Sequence, residues 1–190
     1  MKHSSVFFTC ISAFFAAFLA VCAVLAIPVP FTGVPVSLLN LGLFLVGGIL
    51  PPKLAFRSAG IHLLLGLMGL PVFSGLRGGP GMLLGPTGGY LWMELPVVCL
   101  IGVLLTRFSR SGTGFWGRFG ILALGGLVHT TGGTLWFCTV TQVPWTDGLL
   151  LCVIPFLLPD LCKLVLAAGL LPPLHRILMH ISSDCRITPP

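Results

Sequence analysis

Apolar residues run through this chain in long unbroken stretches, separated by short clusters of charge, proline or glycine. Reading those breaks gives six stretches, at 6–27, 35–50, 58–72, 88–106, 119–141 and 148–172. None alternates apolar with polar positions as the strands of a membrane β-barrel do. Runs of about 20 apolar residues have the length of a transmembrane helix. The pattern therefore predicts an all-α membrane protein, a six-transmembrane-helix bundle forming one integral membrane domain over residues 1–190. The second and third stretches are short, and Lys53 and Arg57 between them mark a tight turn.

Composition strengthens this picture. The chain of 190 residues is 56% hydrophobic and 7% charged, with a mean hydropathy of +1.08. A soluble domain gives about a quarter of its residues to Asp, Glu, Lys and Arg. Too few polar side chains remain here to clothe a water-facing surface. The first stretch has features of a secretory leader, namely Lys2, an apolar core and an Ala-rich end. Its apolar core, 6–27, is nevertheless longer than the usual leader core of about 7–15 residues, and Val21 before Cys22 does not suit lipoprotein cleavage. An uncleaved first span is expected.

The net charge of +6 is carried by cations spread singly between apolar runs, without the basic, aromatic-interleaved cluster of a nucleic-acid interface. With six spans, Lys2, Lys53, Arg57, Arg107, Arg110, Arg118, Arg176 and Arg186 fall on the side of the termini, and Arg77 alone falls opposite. Cationic loops stay cytoplasmic, so the chain is expected to sit in the cell membrane, multi-pass, with both termini cytoplasmic. The seven cysteines form no C-x-x-C pair and no zinc spacing. No disulfide, metal or cofactor is expected. Nor does any nucleophile–base pair suggest an enzyme.

Two outer loops stand out. PVPFTGVPV is uncharged and stiffened by prolines, whereas FSGLRGGPGMLLGPTGG at 73–89 is Gly-rich and carries Arg77. Such a loop lets backbone groups approach a ligand, or it is simply a flexible turn. It lacks the G-K-[ST] ending of a nucleotide-binding loop.

The strongest chemical signal is in the last stretch. Asp160 and Lys163 share one helix face at i, i+3, in a segment otherwise made for lipid. Each costs about 2.5–3.5 kcal/mol at the centre of a lipid-facing helix, so both are expected to face the bundle or a water-filled cavity. A mutual salt bridge that only staples helices is the plainer reading. A ligand-binding role is preferred, because a self-satisfied pair still costs desolvation relative to two leucines. Pro155 and Pro159 add irregular backbone of the kind tolerated where it lines a cavity. The other polar residues within spans are few: Asn40, His62, Glu94, His129 and Thr130. The two histidines are expected as hydrogen-bonded core or interface residues. In the first span, Ala13, Ala16, Ala17, Ala20 and Ala23 make a small-residue stripe. It suits close approach of a helix, either of a partner or of the same bundle.

Three segments, IPVPFTGVPVSLLNLG at 27–42, GLPVFSGLRGGPGMLLGPTGGYL at 69–91 and PFLLPDLCK at 155–163, resemble BioY, the biotin-specific S component of energy-coupling factor (ECF) vitamin transporters. That resemblance implies a six-helix S-component fold with a biotin pocket near the external face. It also implies three partners, a transmembrane coupling subunit and two cytoplasmic ATPase subunits, with Ala13–Ala17 and Ala16–Ala20 as the docking face. Asp160 would accept from a ureido N–H of biotin, and Lys163 would donate to the ureido oxygen or the carboxylate. Arg77 and Tyr90 are the candidates for the second polar end. Leu39 stands where the family usually has glutamine, which implies a polar contact that is either missing or supplied by Asn40. Glu94 stands where an apolar residue is expected, to pair with Arg77 or His129 or to reshape the pocket. Another small vitamin as ligand, or a solitary facilitator without partners, is the alternative.

Overall fold

The computed structural model of the protein describes residues 2–27, 35–109 and 114–184. Most of the proline-stiffened loop, together with Arg110 and Arg186, lies outside them. Helix α1 (Lys2–Val24) leads through β1 (Ala26–Ile27) and β2 (Val36–Ser37) to α2 (Leu39–Ile49) and α3 (Pro52–Leu67). The short α4 (Pro80–Leu84) precedes α5 (Gly88–Ser109) and α6 (Phe115–Thr141). The short α7 (Trp145–Cys152) is followed by α8 (Ile154–Asp184). The two-residue strands pair antiparallel, Ala26 with Ser37 and Ile27 with Val36.

Among the described residues, four helices are long and apolar enough to cross a membrane alone: α1, α5, α6 and α8. The expected count of six is not reproduced by length, because α2 has 11 residues and α3 has 16. At 1.5 Å per residue those lengths reach about 16 and 24 Å, short of a hydrocarbon core of about 30 Å. Prolines explain the division. Leu50 is extended, and Pro52 begins α3 in the first helical turn, where its missing N–H costs nothing. Lys53 and Arg57 thus belong to α3 and not to a turn. The last stretch also differs from its expected bounds: α7 ends at Cys152, Val153 breaks the run, and α8 begins at Ile154.

The bundle is apolar outside and partly polar within. Phe14, Leu64, Trp116, Leu127 and Leu158 point outward, whereas Ser12, Ser58, His62, Glu94, His129, Thr134 and Lys163 are buried. Water would reverse that arrangement; lipid requires it. Helices α2 and α5 contribute to two adjoining cores, one shared with α1 and α3 and the other with α6 and α8. Gly102 of α5 permits the close approach of α2, since a Cβ there would stand 3.3 Å from the Gly47 carbonyl. The expected alanine stripe is split by this packing. Ala16 and Ala23 are buried in the bundle, Ala20 is half-buried, and Ala13 and Ala17 face outward. Ala16 is therefore an internal packing residue in this conformation.

Candidate binding site

At the end of the bundle where α1 leads to α2, α3 to α5 and α6 to α8, the helices line a cavity that opens to the surface. The start of α2 contributes Asn40, the loop after α3 contributes Phe73 and Ser74, and the start of α5 contributes Tyr90. Helix α6 adds His129 and Thr130, and α8 adds Asp160 and Lys163.

Asp160 and Lys163 stand one helical turn apart with Nζ 2.8 Å from Oδ1. Asn40 Nδ2 donates to both carboxylate oxygens at 3.3 Å. These contacts do not exhaust the groups. An ionised carboxylate offers about four acceptor positions and an ammonium three donors, so both groups, which line the cavity, retain unused hydrogen-bonding capacity. The Asp160 side chain is 22% exposed and that of Lys163 is 7% exposed, as befits a pair on a cavity wall. Pro155 falls in the first turn of α8, so only Pro159 lies in the helix before the pair. Pro159 brings no N–H to the Pro155 carbonyl one turn back.

Around this centre the wall is held by side-chain bonds. Tyr90 Oη and Thr134 Oγ1 are 3.0 Å apart, and His129 Nε2 donates to the Tyr90 carbonyl at 3.0 Å. Because that carbonyl can only accept, Nε2 carries the hydrogen and the neutral imidazole has its acceptor at Nδ1. His129 Nδ1 and Ser74 Oγ are buried without a partner, and both residues line the cavity.

The structure thus brings Asp160, Lys163, Asn40 and Tyr90 together at one cavity. It does not bring Arg77 or Glu94 there. Arg77 is exposed on the loop between α3 and α4, where its carbonyl accepts from Phe73 N at 2.9 Å. Glu94 is enclosed between α5 and α3, with Oε2 at 2.9 Å from His62 Nδ1. It meets neither Arg77 nor His129, and its Oε1 is buried without a partner. His129, Thr130 and Ser74 join the wall although the sequence reading gave them no ligand role. A signal was present in GGLVHTTGG at 125–133, adjacent polar residues between glycine pairs within an apolar helix.

A multi-pass helical membrane protein with a partly polar cavity toward one end is the class that this fold and site define. The chain matches the model of the BioY family over residues 2–180, and it belongs to that family. It is 34% identical over 180 residues to the biotin transporter BioY2 of Lactococcus lactis subsp. cremoris, covering 95% of this chain and 96% of that protein. The biotin transporter BioY of the same organism is 36% identical over 144 residues, 73% of this chain and 75% of its own. Its fold is similar to the 2.1 Å crystal structure of the S-component for biotin from an ECF-type ABC transporter. That similarity has a TM-score of 0.85 and 31% identity, covering 93% of this chain and 94% of the other.

Proposed function

We propose that the protein binds biotin in the cavity beside Asp160 and Lys163 and carries it across the cell membrane as the S component of an ECF transporter. The observation that carries this reading is the Asp160–Lys163–Asn40 group, polar and incompletely satisfied on a cavity wall, in a chain whose relatives are named biotin transporters. Asp160 accepts from a ureido N–H, and Lys163 donates to the ureido oxygen or the carboxylate. Charge-assisted bonds of this kind are about twice as strong as neutral ones. In a desolvated site they penalise analogues that lack the matching group. His129 Nδ1 and Ser74 Oγ add an acceptor and a hydroxyl, and Phe73 and Phe156 offer apolar cover for the ring system.

In the membrane, α2 and α3 complete six crossings with α1, α5, α6 and α8, and both termini are cytoplasmic. Support comes from the cations Lys53, Arg57, Arg107, Arg118 and Arg176, which fall toward the helix ends away from the cavity connections. Energised uptake uses a coupling subunit and two ATPase subunits, with Ala13 and Ala17 as the outward small-residue face on which a partner helix packs. Labelled biotin binding to the purified protein in lipid nanodiscs, with other vitamins as competitors, tests this function. Saturable binding displaced by biotin alone is expected; absence of saturable binding, or displacement by a different vitamin at lower concentration, contradicts it.

A further inference from the structure

One pair of ionisable side chains is left unused by ligand recognition, and it is completely enclosed. Glu94 and His62 are both 0% exposed and 2.9 Å apart, and neither lines the cavity. They bridge α5 to α3, and His62 then reaches further. Its Nε2 donates to the Val72 carbonyl at 3.1 Å. Val72 immediately precedes Phe73 and Ser74, which form part of the cavity wall.

The acceptors dictate where the hydrogens lie. The Val72 oxygen can only accept, so Nε2 carries its hydrogen and Nδ1 meets Glu94 Oε2 across one shared proton. Wherever along that contact the proton rests, the pair as a whole is neutral, which suits a bundle interior in lipid. An imidazole without Glu94 would be free to exchange tautomers and turn its ring. Glu94 removes that freedom.

The loop needs such a fastening. Leu76, a bulky residue, holds φ at 57°, and Gly75 and Gly79 flank it at 72° and 95°. That left-handed backbone is disfavoured for a branched side chain, so the shape persists only while its ends are tied. Phe73 N donates to Arg77 O at 2.9 Å, and Gly79 N donates to Gly66 O at 2.7 Å. The Phe73 ring stands edge-on to His62 with centroids 5.5 Å apart. It also lies over Gly66, where a Cβ would overlap it. His62 therefore touches both the backbone and the ring of the segment that walls the cavity.

We infer that Glu94 and His62 are positioning residues, a proton-sharing pair inside the bundle that clamps the loop 69–79 through the Val72 carbonyl and sets how readily that wall of the cavity opens. The inference rests on the cavity being the ligand site proposed above. It assigns a role to two residues that do not touch the ligand.

The test uses the full chain in lipid nanodiscs, with two readouts: backbone hydrogen–deuterium exchange of residues 69–79 without ligand, and dissociation of labelled biotin. Glu94→Met removes the fastening. Glu94→Gln keeps it, since an amide N–H donates to Nδ1 and holds the hydrogen at Nε2. The double variant His62→Phe/Glu94→Met leaves no unpaired ionisable group in the core, so it decides the matter if Glu94→Met alone does not fold. Loss of the clamp is expected to raise exchange in 69–79 and the dissociation rate each by about tenfold, the scale of one hydrogen bond, while Glu94→Gln stays within about threefold of the parent. Unchanged loop exchange in the Met variants, or a Gln variant no better than Met, overturns the clamp. Exchange is read without ligand, so a parent that binds no biotin overturns the proposed function and leaves exchange to decide the clamp.

Discussion

Lys163 Nζ lies 2.8 Å from Asp160 Oδ1, and both side chains stand in the cavity wall instead of against lipid. A staple between helices would bond across them; this pair belongs to one helix, α8, and its link to another helix runs through Asn40 of α2. The charges therefore do little to join helices. Their value lies in what they offer the cavity. Asp160→Asn is accordingly expected to weaken biotin binding by about 10- to 150-fold, the range of one charge-assisted hydrogen bond of about 1.5–3 kcal/mol. Equilibrium binding on protein of unchanged expression and monodispersity checks this.

Asn40 steadies the carboxylate through two long bonds of 3.3 Å. Asn40→Leu should cost about 0.5–1.5 kcal/mol in binding, or about two- to twelvefold in affinity. The same titration reads the loss, which should be smaller than that of Asp160→Asn.

Tyr90 acts mainly through its ring, because its hydroxyl is engaged by Thr134 at 3.0 Å. Tyr90→Phe should lower stability by about 1 kcal/mol, the cost of an unpaired buried hydroxyl, with affinity changed by less than about threefold. Gly133→Val should be worse for binding, since a side chain at 133 overlaps the Tyr90 ring and displaces it. Thermal unfolding and ligand titration on the two variants separate these effects.

The alanine stripe gives a prediction that separates packing from partnership. Ala16 is 0% exposed, so Ala16→Leu overpacks the bundle at a cost of about 1–3 kcal/mol and lowers thermal stability. Ala13→Leu with Ala17→Leu, on the outward face, should leave stability and biotin binding intact while abolishing ATP-driven uptake in cells supplied with the partner subunits. Uptake at the parental rate would remove this face from any docking role.

The helical membrane fold was legible because lipid forces long apolar runs, and the enclosure of Asp160 followed from the cost of a lipid-facing charge. The helix boundaries were less so. Proline marked the end of the second stretch, but the charges Lys53 and Arg57 concealed that α3 begins at once at Pro52, and Val153, an apolar residue, gave no sign of the break between α7 and α8. Periodicity also joined Ala16 to Ala13 and Ala17, because residues three and four apart share a stripe too broad to distinguish two neighbouring faces. Glu94 looked like a departure from the pocket's pattern, yet its partner His62 lies 32 positions away, across a contact that spacing along the chain does not encode. The sequence suggests a core role for His129, whereas in the fold it lines the cavity with Nδ1 unpartnered.

The role of the paired charges is tested most directly by removing both at once. Asp160→Leu/Lys163→Met leaves no unpaired ion, and replacing a buried ion pair by apolar residues of similar volume is commonly neutral or stabilising. Titration of this double variant with biotin, beside its thermal unfolding, is expected to give a melting temperature at or above the parent's and an affinity reduced by about 100-fold or more, as for loss of two charge-assisted bonds. A stable double variant that still binds biotin within about threefold of the parent would contradict the account.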